Sequence, residues 1–193
     1  MCDDVHVLPP VDAPLVPAVR GATPDDLPAV HGLIRESFAA LLAHMPGQRE
    51  ALEAAAEGAI ADGDISVARF EGEFLARRSA GFWVAEHKDD GVIGCIGLKP
   101  DGEDAELVRM AVASAARGQR IGSRLVAALV EFARAAGVAG VHLTTGNPDA
   151  ARFYRREGFA VVSEFQIPDG PPELKVFRMR LALRDDAAER AVR

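Results

Sequence analysis

The stretch NPDAARFYRREGF, residues 147–159, carries the strongest local signal in the chain. Its opening asparagine and proline fit the N-cap and first turn of a helix, and the glycine near its end fits a C-terminal cap. Within it Ala150, Phe153 and Tyr154 stand at positions i, i+3 and i+4, so they share one helix face. We therefore predict a short helix over residues 148–157 that presents an aromatic face.

The residues ahead of this stretch predict a strand, a long helix and a second strand. Residues 105–113 alternate in polarity, the residues from Ile121 to Phe132 carry an apolar stripe of helical period, and residues 138–145 form an apolar run. Gly137 fits the C-terminal cap of the helix. A unit of this length implies two parallel strands joined by a right-handed crossover.

Two further helices are predicted nearer the N-terminus, from Pro24 onward and over residues 48–62. Thr23 fits the N-cap of the first, and Asp26 completes a capping box. The Pro46-Gly47 pair is expected to end that helix. Additional strands are predicted over residues 81–86, 92–98, 159–167 and 176–183, with turns at residues 88–91, 100–104 and 168–172.

These elements predict a single mixed α/β domain over residues 18–183. Its central sheet is expected to be mostly antiparallel, with one parallel β-α-β crossover. Residues 64–79 fit either a short strand or a short helix. Residues 1–17, which are rich in proline, and residues 184–193, which are rich in charge, are expected to be tails without regular structure.

The composition limits the classes of function. The chain has 193 residues and a formal net charge of −7, which argues against a nucleic-acid binder because such proteins usually carry a basic stripe. No apolar run approaches the ~20 residues that span a membrane, and the N-terminus lacks a secretory signal. Two cysteines and five histidines form no metal or disulfide pattern, so we predict no metal and a cytoplasmic location.

A glycine-containing segment, RGQRIG at residues 117–122, stands directly before the long helix. The backbone N–H groups at a helix N-terminus are unpaired and carry positive partial charge, so a diphosphate could bind there. Arg117 and Arg120 would add cationic donors, and Gly118 and Gly122 would let a ligand approach the backbone. The alternative is a turn that carries two solvated arginines.

Glu106 lies in the predicted strand AELVRMAV, residues 105–112. Strict alternation places it on the same face as Val108, Met110 and Val112, with the intervening residues on the other face. A carboxylate among apolar neighbours loses solvation, which favours a role as a general base. The alternative is a solvated acid at the edge of a strand.

The helix at residues 148–157 leaves similar alternatives open. Asn147 fits an N-cap so well that capping alone would explain it. Tyr154 could be a half-buried aromatic residue, although it is the only tyrosine in the chain.

The order of these segments resembles the GNAT acetyltransferase superfamily across residues 18–183. The pattern Asn-x-x-Ala-x-x-Phe-Tyr-x-x-x-Gly-Phe resembles a signature of that family, and Arg-x-x-x-x-Gly resembles its pyrophosphate loop, usually Arg/Gln-x-x-Gly-x-Gly/Ala. Here Arg120 replaces the middle glycine. If that position requires a positive φ, Arg120 is strained there, and if it is already helical, arginine fits without penalty.

The resemblance implies an enzyme with acetyl-CoA as its co-substrate, bound where the strands 105–113 and 138–145 diverge. Glu106 would remove the proton of the amine, and Tyr154 would protonate the departing thiolate. The residues implied to hold the coenzyme are Met110, Ala111 and Val112 at the pantetheine arm, Arg117, Gly118, Gln119, Arg120, Ile121, Gly122 and Ser123 at the diphosphate, and Asn147, Ala150 and Phe153 on the last helix.

We therefore predict acetyl transfer from acetyl-CoA to a primary amine, of a small molecule or a protein, within a ternary complex. The segments Asp64-Ile65, FWVAE at residues 82–86 and residues 106–112 also resemble the camello-like subgroup, some members of which acetylate cysteine conjugates or lysines. A homodimer is compatible with the resemblance. The alternatives are a CoA-binding regulatory module without turnover and, more distantly, a nucleotide-dependent enzyme. Residues 40–80 and 166–175 are expected to shape the acceptor site.

Overall fold

A computed structural model describes residues 17–42, 47–166 and 175–184. Its strands are β1 (Ala18–Gly21), β2 (Gly81–His87), β3 (Gly91–Asp101), β4 (Asp104–Val112), β5 (Gly140–Thr145), β6 (Ala160–Gln166) and β7 (Lys175–Ala182). Its α-helices are α1 (Leu27–Leu41), α2 (Arg49–Ala61), α3 (Ile121–Ala135) and α4 (Pro148–Arg156). The expected tails at residues 1–16 and 185–193 and the expected turn at residues 168–172 lie outside the described residues, as does Pro46.

The strands form one seven-stranded sheet in the order β1-β2-β3-β4-β5-β7-β6. β4 and β5 are parallel and are joined through α3, whereas the other neighbouring strands are antiparallel. One apolar core packs the sheet against α3 and α4, and a second packs it against α1, α2 and the segment that follows. The predicted mixed, mostly antiparallel sheet with one parallel crossover is confirmed.

The helix boundaries follow the capping residues of the sequence. Asn147 accepts hydrogen bonds from the N–H groups of Asp149 and Ala150 at 2.9 and 3.3 Å, so its predicted N-cap role is confirmed. Gly137 ends the turn after α3 with a φ of +75°. The first helix begins differently, because residues Pro24–Asp26 form a 3-10 turn before α1. Asp26 accepts a hydrogen bond from the Thr23 N–H at 2.8 Å, as a capping box requires.

The segment between α2 and β2, which the sequence left open, contains a π-helical turn at Glu71–Leu75. Phe70 and Phe74 from this region are buried against Phe82 of β2, with ring centroids 4.9 to 5.5 Å apart. The three rings anchor the segment to the sheet, since tilted and edge-to-face aromatic pairs pack favourably.

β4 departs from strict alternation at Arg109, which has a φ of +53°. The register with β3 passes from the pair Gly97–Val108 to the pair Cys95–Ala111, so β4 has one more residue than β3 in this interval. This is a β-bulge, which locally reverses the faces of a strand.

The bulge corrects the predicted faces of β4. Val108 and Ala111 pack into the core beneath α1, whereas Met110 and Val112 pack against the core beneath α3. The prediction that Glu106 and Val108 share one face with Met110 and Val112 is therefore wrong. The alternation rule for strands fails here because nothing in the sequence indicates the extra residue in β4.

The buried carboxylate of Asp26 provides a test of stability. Both guanidinium nitrogens Nη1 and Nη2 of Arg20 donate to it at 2.8 Å, and these bonds are the main reason that the pKa of Asp26 lies below its ordinary value. Because the native pKa is lowered, its stabilisation is present above the unfolded pKa and is lost as pH falls through the native one. We expect Asp26→Asn to reduce the free energy of unfolding by about 1–3 kcal/mol at pH 7.

Urea unfolding at pH 7 and pH 3 would measure this difference. The gap between the two proteins should narrow at pH 3, where the carboxylate begins to be protonated. Asp25→Asn, at the exposed neighbouring acid, is the matched control and should change little. An equal loss of stability at both pH values would contradict the role of the ionised carboxylate.

Candidate active site

The parallel strands β4 and β5 separate soon after they meet. Their ladder contains two residue pairs, Ala105 with Val141 and Glu106 with His142. Beyond Glu106 the edge of β4 that faces β5 has no strand partner among the residues that the structure describes, so its backbone groups border a gap in the sheet. This agrees with the divergence that the resemblance implies.

The bulge at Arg109 borders this gap and is held from two sides. Its Nε donates to Asp64 Oδ1 at 2.8 Å, and its carbonyl accepts from the Cys95 thiol at 3.2 Å. A non-glycine residue at positive φ is strained, and such strain persists only where the surroundings hold it. Burial raises the pKa of Cys95 to about 12, so this thiol stays protonated and inert.

A cleft of about 480 Å³ opens at the gap. Five predicted site residues line it, namely Glu106, Met110, Asn147, Ala150 and Tyr154. The remaining walls come from α1, from Asp64 and Lys99, from residues 107–109 of β4 and from residues 143–145 of β5. The structure therefore brings these five predicted residues into one cavity, although Glu106 and Tyr154 are 48 positions apart in the sequence.

The acidic residues of the cleft differ in their partners. Asp64 is ion-paired with Arg109 at 2.8 Å and with Lys99 at 3.5 Å. Glu106 forms no ion pair within the part of the chain that the structure describes, although Lys99 and His142 are its neighbours across the sheet. The surroundings of Glu106 are therefore more polar than the strand pattern predicts. Its carboxylate can still bind a ligand.

Tyr154 lies at the inner end of the cleft and is 6% exposed. Its ring packs between Phe153 and Phe159, with centroids 5.1 and 5.5 Å away. Burial raises the pKa of Tyr154, because the phenolate would lose its hydration. The hydroxyl is therefore protonated at neutral pH, as a proton donor must be.

The segment before α3 forms an exposed turn of unusual backbone conformation. Gly118 and Arg120 both have positive φ, +80° and +59°. Of the two alternatives for Arg120, the structure selects the strained one, since this residue adopts the left-handed conformation that glycine prefers. Arg117, Gln119 and Arg120 are exposed, so two cations flank the free N–H groups at the start of α3.

Gly122 connects this turn to the cleft. A Cβ atom at Gly122 would lie 3.0 Å from Met110 Cε and 3.1 Å from Phe153 Cζ. The helix start, β4 and α4 therefore meet at this position without a side chain between them. Residues 117–123 themselves do not line the cleft, so the α3 N-terminus adjoins it only through the side chains of Met110 and Phe153.

Some predicted contacts are not available through side chains. The Ser123 hydroxyl donates to Glu157 Oε1 at 2.6 Å, so it is engaged within the protein. Ile121 and Ala111 are buried in the two cores, and Val112 packs against one of them, so these three residues could offer only backbone groups. The Gln119 amide donates to the Ala115 carbonyl at 3.5 Å.

The sequence singled out no residue for the floor and the α1 wall of the cleft, although Leu41 and Asp64 fall in the range 40–80 that was expected to shape an acceptor site. Asp64, Lys99 and Arg109 form a charged floor there, while Phe38 and its neighbours on α1 form an apolar wall. The stripe on α1 was visible in the sequence, but a stripe that lines a cleft has the same period as one that fills a core. The charged floor had no signal, because its members lie in three separate elements.

Among residues 17–42, 47–166 and 175–184, no cluster of three or more His, Cys, Asp or Glu side chains could hold a metal ion. In the same ranges, no helix combines the length and apolar character needed to cross a membrane.

Comparison with known proteins supports the reading of this cleft. A family model described as an acetyltransferase (GNAT) domain matches residues 78–161. The chain is also 39% identical over 107 residues to the IAA acetyltransferase of Azospirillum brasilense, in an alignment that covers 53% of this chain and 69% of that protein. The chain belongs to the GNAT acetyltransferase family. This GNAT protein is accordingly an acetyl-CoA-dependent acyltransferase, as the motifs predicted.

Two further relatives show how far the likeness extends. This GNAT chain is 37% identical over 93 residues to the probable N-acetyltransferase camello of Xenopus laevis, covering 46% of this chain and 42% of that protein, so it spans under half of that relative. The PaiA N-acetyltransferase of Thermoplasma acidophilum, solved in complex with coenzyme A, superposes with a TM-score of 0.70 at 21% identity, covering 87% of this chain and 99% of that one. Helices α1 and α2 lie outside the matched family segment.

Proposed function

We propose that the protein transfers the acetyl group of acetyl-CoA directly to a primary amine while both substrates are bound. The observation that carries this proposal is the cleft itself. It holds a carboxylate without an ion pair among the described residues, Glu106, and a buried protonated hydroxyl, Tyr154, in one cavity beside the open edge of β4. Amine acylation needs a base, an acid and fixed donors at the carbonyl, and this cavity supplies candidates for all three.

In the proposed reaction, Glu106 accepts the proton of the bound ammonium group, directly or through one water. The free amine nitrogen then attacks the thioester carbonyl, so that a C–N bond forms and the C–S bond breaks. A backbone N–H near the Arg109–Met110 bulge stabilises the negative charge that develops on the carbonyl oxygen. Tyr154 donates its proton to the departing sulfur, and the nitrogen gives up its second proton through water to the resulting tyrosinate. The products are then an amide, free CoA thiol and a neutral Tyr154 hydroxyl, and the proton held by Glu106 passes to solvent.

The N-terminus of α3 is proposed to hold the diphosphate of the co-substrate. Its free N–H groups and the arginines at positions 117 and 120 provide positive charge, and the positive φ of Gly118 and Arg120 curves the backbone around this position. The pantetheine arm would then run past Gly122 toward Met110 and would pair with the open edge of β4. Asn147 and Ala150, which line the cleft, would border the arm on the other side.

The direct test combines binding and turnover. Excess acetyl-CoA at about 100 times Kd should add about 2.7 kcal/mol to the free energy of unfolding, which raises Tm by several degrees. ATP and NAD serve as controls and should leave Tm unchanged. Amine-dependent release of CoA thiol across a panel of primary amines then measures transfer. Binding without release for any amine would instead favour a regulatory module.

Glu106→Gln is expected to lower kcat/KM by roughly 10²-fold or more, since the amide cannot accept a proton. It should also flatten the acidic limb of the pH–rate profile, because that limb reports protonation of the base. Glu103→Gln, at an exposed acid in the β3–β4 turn, is the matched control and should keep the wild-type profile. An unaltered acidic limb in Glu106→Gln would assign the base to another group.

A further inference from the structure

Helix α1 carries two side-chain stripes, and they meet at Phe38. Ile34, Phe38 and Leu41 line the cleft. Arg35, Phe38 and Leu42 line a second cavity, on the side that faces α2. Each set follows the spacing of one helix face, so the two faces converge on a single residue. Phe38 is half-buried and contributes to the wall of both cavities.

The second cavity, called here the rear cavity, lies between α1 and α2 and measures about 230 Å³. Its apolar lining consists of Phe38, Ala39, Leu42, Leu52 and Ala56, and its charged lining consists of Arg35, Glu53 and Glu57, each of which is held in an ion pair. The Arg35–Glu57 ion pair, with Nε and Oε1 2.6 Å apart, borders it at the surface. The rear cavity therefore suits an alkyl or aryl group and not a charged one.

The cleft has a matching division of chemistry. Its β4 side carries Asp64, Lys99, Glu106 and Arg109, whereas its α1 side carries Ile34, Phe38, Leu41 and Ser37, whose hydroxyl donates to the Ile34 carbonyl at 2.9 Å. An acceptor that placed its ammonium group near Glu106 would present its substituent to a wall without charges. Desolvation of an apolar substituent against that wall is favourable, whereas a polar or charged substituent would lose hydrogen bonds to water there.

We propose that Phe38 sets the size limit of the acceptor, which is a primary amine with a compact alkyl or aryl substituent. This inference rests on the proposed function, because it uses the same cleft and the same position for the ammonium group. Phe38 ends the cleft where the rear cavity begins. Shortening this side chain joins the two cavities and allows a longer apolar substituent to pass between α1 and α2.

Four proteins test the proposal: wild type, Phe38→Ala, Ala39→Leu and the double variant. Ala39 is exposed and lines the rear cavity but not the cleft, so a leucine there occupies the rear cavity without entering the cleft. The probes are phenethylamine as the compact amine, 4-phenylbutylamine as the long amine and ethanolamine as the polar amine. Thiol release gives kcat/KM for each, and urea unfolding checks that each variant is folded.

Wild type should prefer phenethylamine to both other amines. Phe38→Ala should raise the ratio of kcat/KM for the long amine over the compact one by roughly tenfold or more, which is the usual discrimination per methylene in an apolar pocket. The double variant should lose this gain, and Ala39→Leu alone should match wild type. An undiminished gain in the double variant, or no gain in Phe38→Ala, would overturn the proposal. Phe38→Leu replaces Phe38→Ala if the latter does not fold.

A binding measurement distinguishes failure of the size limit from failure of the proposed acetyl transfer. Calorimetric titration of each amine into protein saturated with CoA requires no turnover. If no amine is acetylated but Phe38→Ala alone gains affinity for 4-phenylbutylamine, the size limit stands and the proposed transfer fails. If the amines react but the ranking ignores Phe38, the transfer stands and the size limit fails.

Discussion

Tyr154→Phe is expected to lower kcat roughly 10²-fold while leaving the affinity for acetyl-CoA nearly unchanged. The ring packs between Phe153 and Phe159, and phenylalanine keeps that packing. The variant lacks only the hydroxyl, which is the proposed source of the proton for the departing thiolate. Because burial keeps the pKa of Tyr154 above its ordinary value, the wild-type hydroxyl supplies this proton across the neutral range.

The measurement is steady-state thiol release at saturating acetyl-CoA, together with calorimetric binding of the co-substrate. Phe153→Leu is an informative companion, because it alters the same aromatic cluster without touching the hydroxyl. A variant with altered packing alone would change stability and Kd together, whereas loss of the acid changes kcat alone. An unchanged kcat in Tyr154→Phe would remove this residue from the mechanism.

The sequence predicted the coenzyme half of the fold well because its signals are local. The Asn-Pro start of α4 and the Gly137 end of α3 are capping residues that act within one helix turn. The apolar residues of α3 form one stripe, so the helix has a single face that can be buried and its packing against the sheet could be predicted. These two helices and the strands around them position Tyr154, Asn147 and Ala150, so three members of the cleft followed from local pattern.

The bulge in β4 could not be predicted from the same rules. An extra residue leaves no trace in a period-two pattern, and Arg109 would be an unexpected choice for a positive φ. What holds it is tertiary: the Asp64 carboxylate, 45 positions away, binds its guanidinium at 2.8 Å. A single-residue shift then exchanged the faces of Met110 and Ala111, which decided which side chain lines the cleft.

The apolar wall that α1 contributes to the cleft was not predicted, for a different reason. Ile34 and Phe38 belong to a helical stripe that predicts burial, and Ile34 is indeed 2% exposed. Whether the end of such a stripe packs against a neighbour or borders a cavity depends on how α1 docks onto β3 and β4 of the sheet. That docking is set by contacts across the chain, so the sequence predicted a helix but not its cleft.

Gly122→Glu is expected to weaken acetyl-CoA binding by roughly 10²-fold or more, since like charges brought together cost several kcal/mol. The new carboxylate would stand in the first turn of α3, where the diphosphate is proposed to bind. The same position favours an acid for helix stability, because it faces the positive end of the helix dipole. Because the new side chain must also be accommodated between Met110 and Phe153, urea unfolding of the variant is measured beside its affinity for acetyl-CoA.

Two companions identify the cause of that loss. Gly122→Ala adds only a Cβ, 3.0 Å from Met110 Cε, and so measures crowding without charge. Gly58→Glu adds the same charge to α2, where no atom lies within 4 Å of the new Cβ, and should bind like wild type. Calorimetry then measures the affinity of Gly122→Glu for acetyl-CoA at low and at high salt. Salt screens charge repulsion, so part of the affinity should return at high salt only if the new charge causes the loss. Undiminished binding by Gly122→Glu would instead place the diphosphate away from the α3 N-terminus.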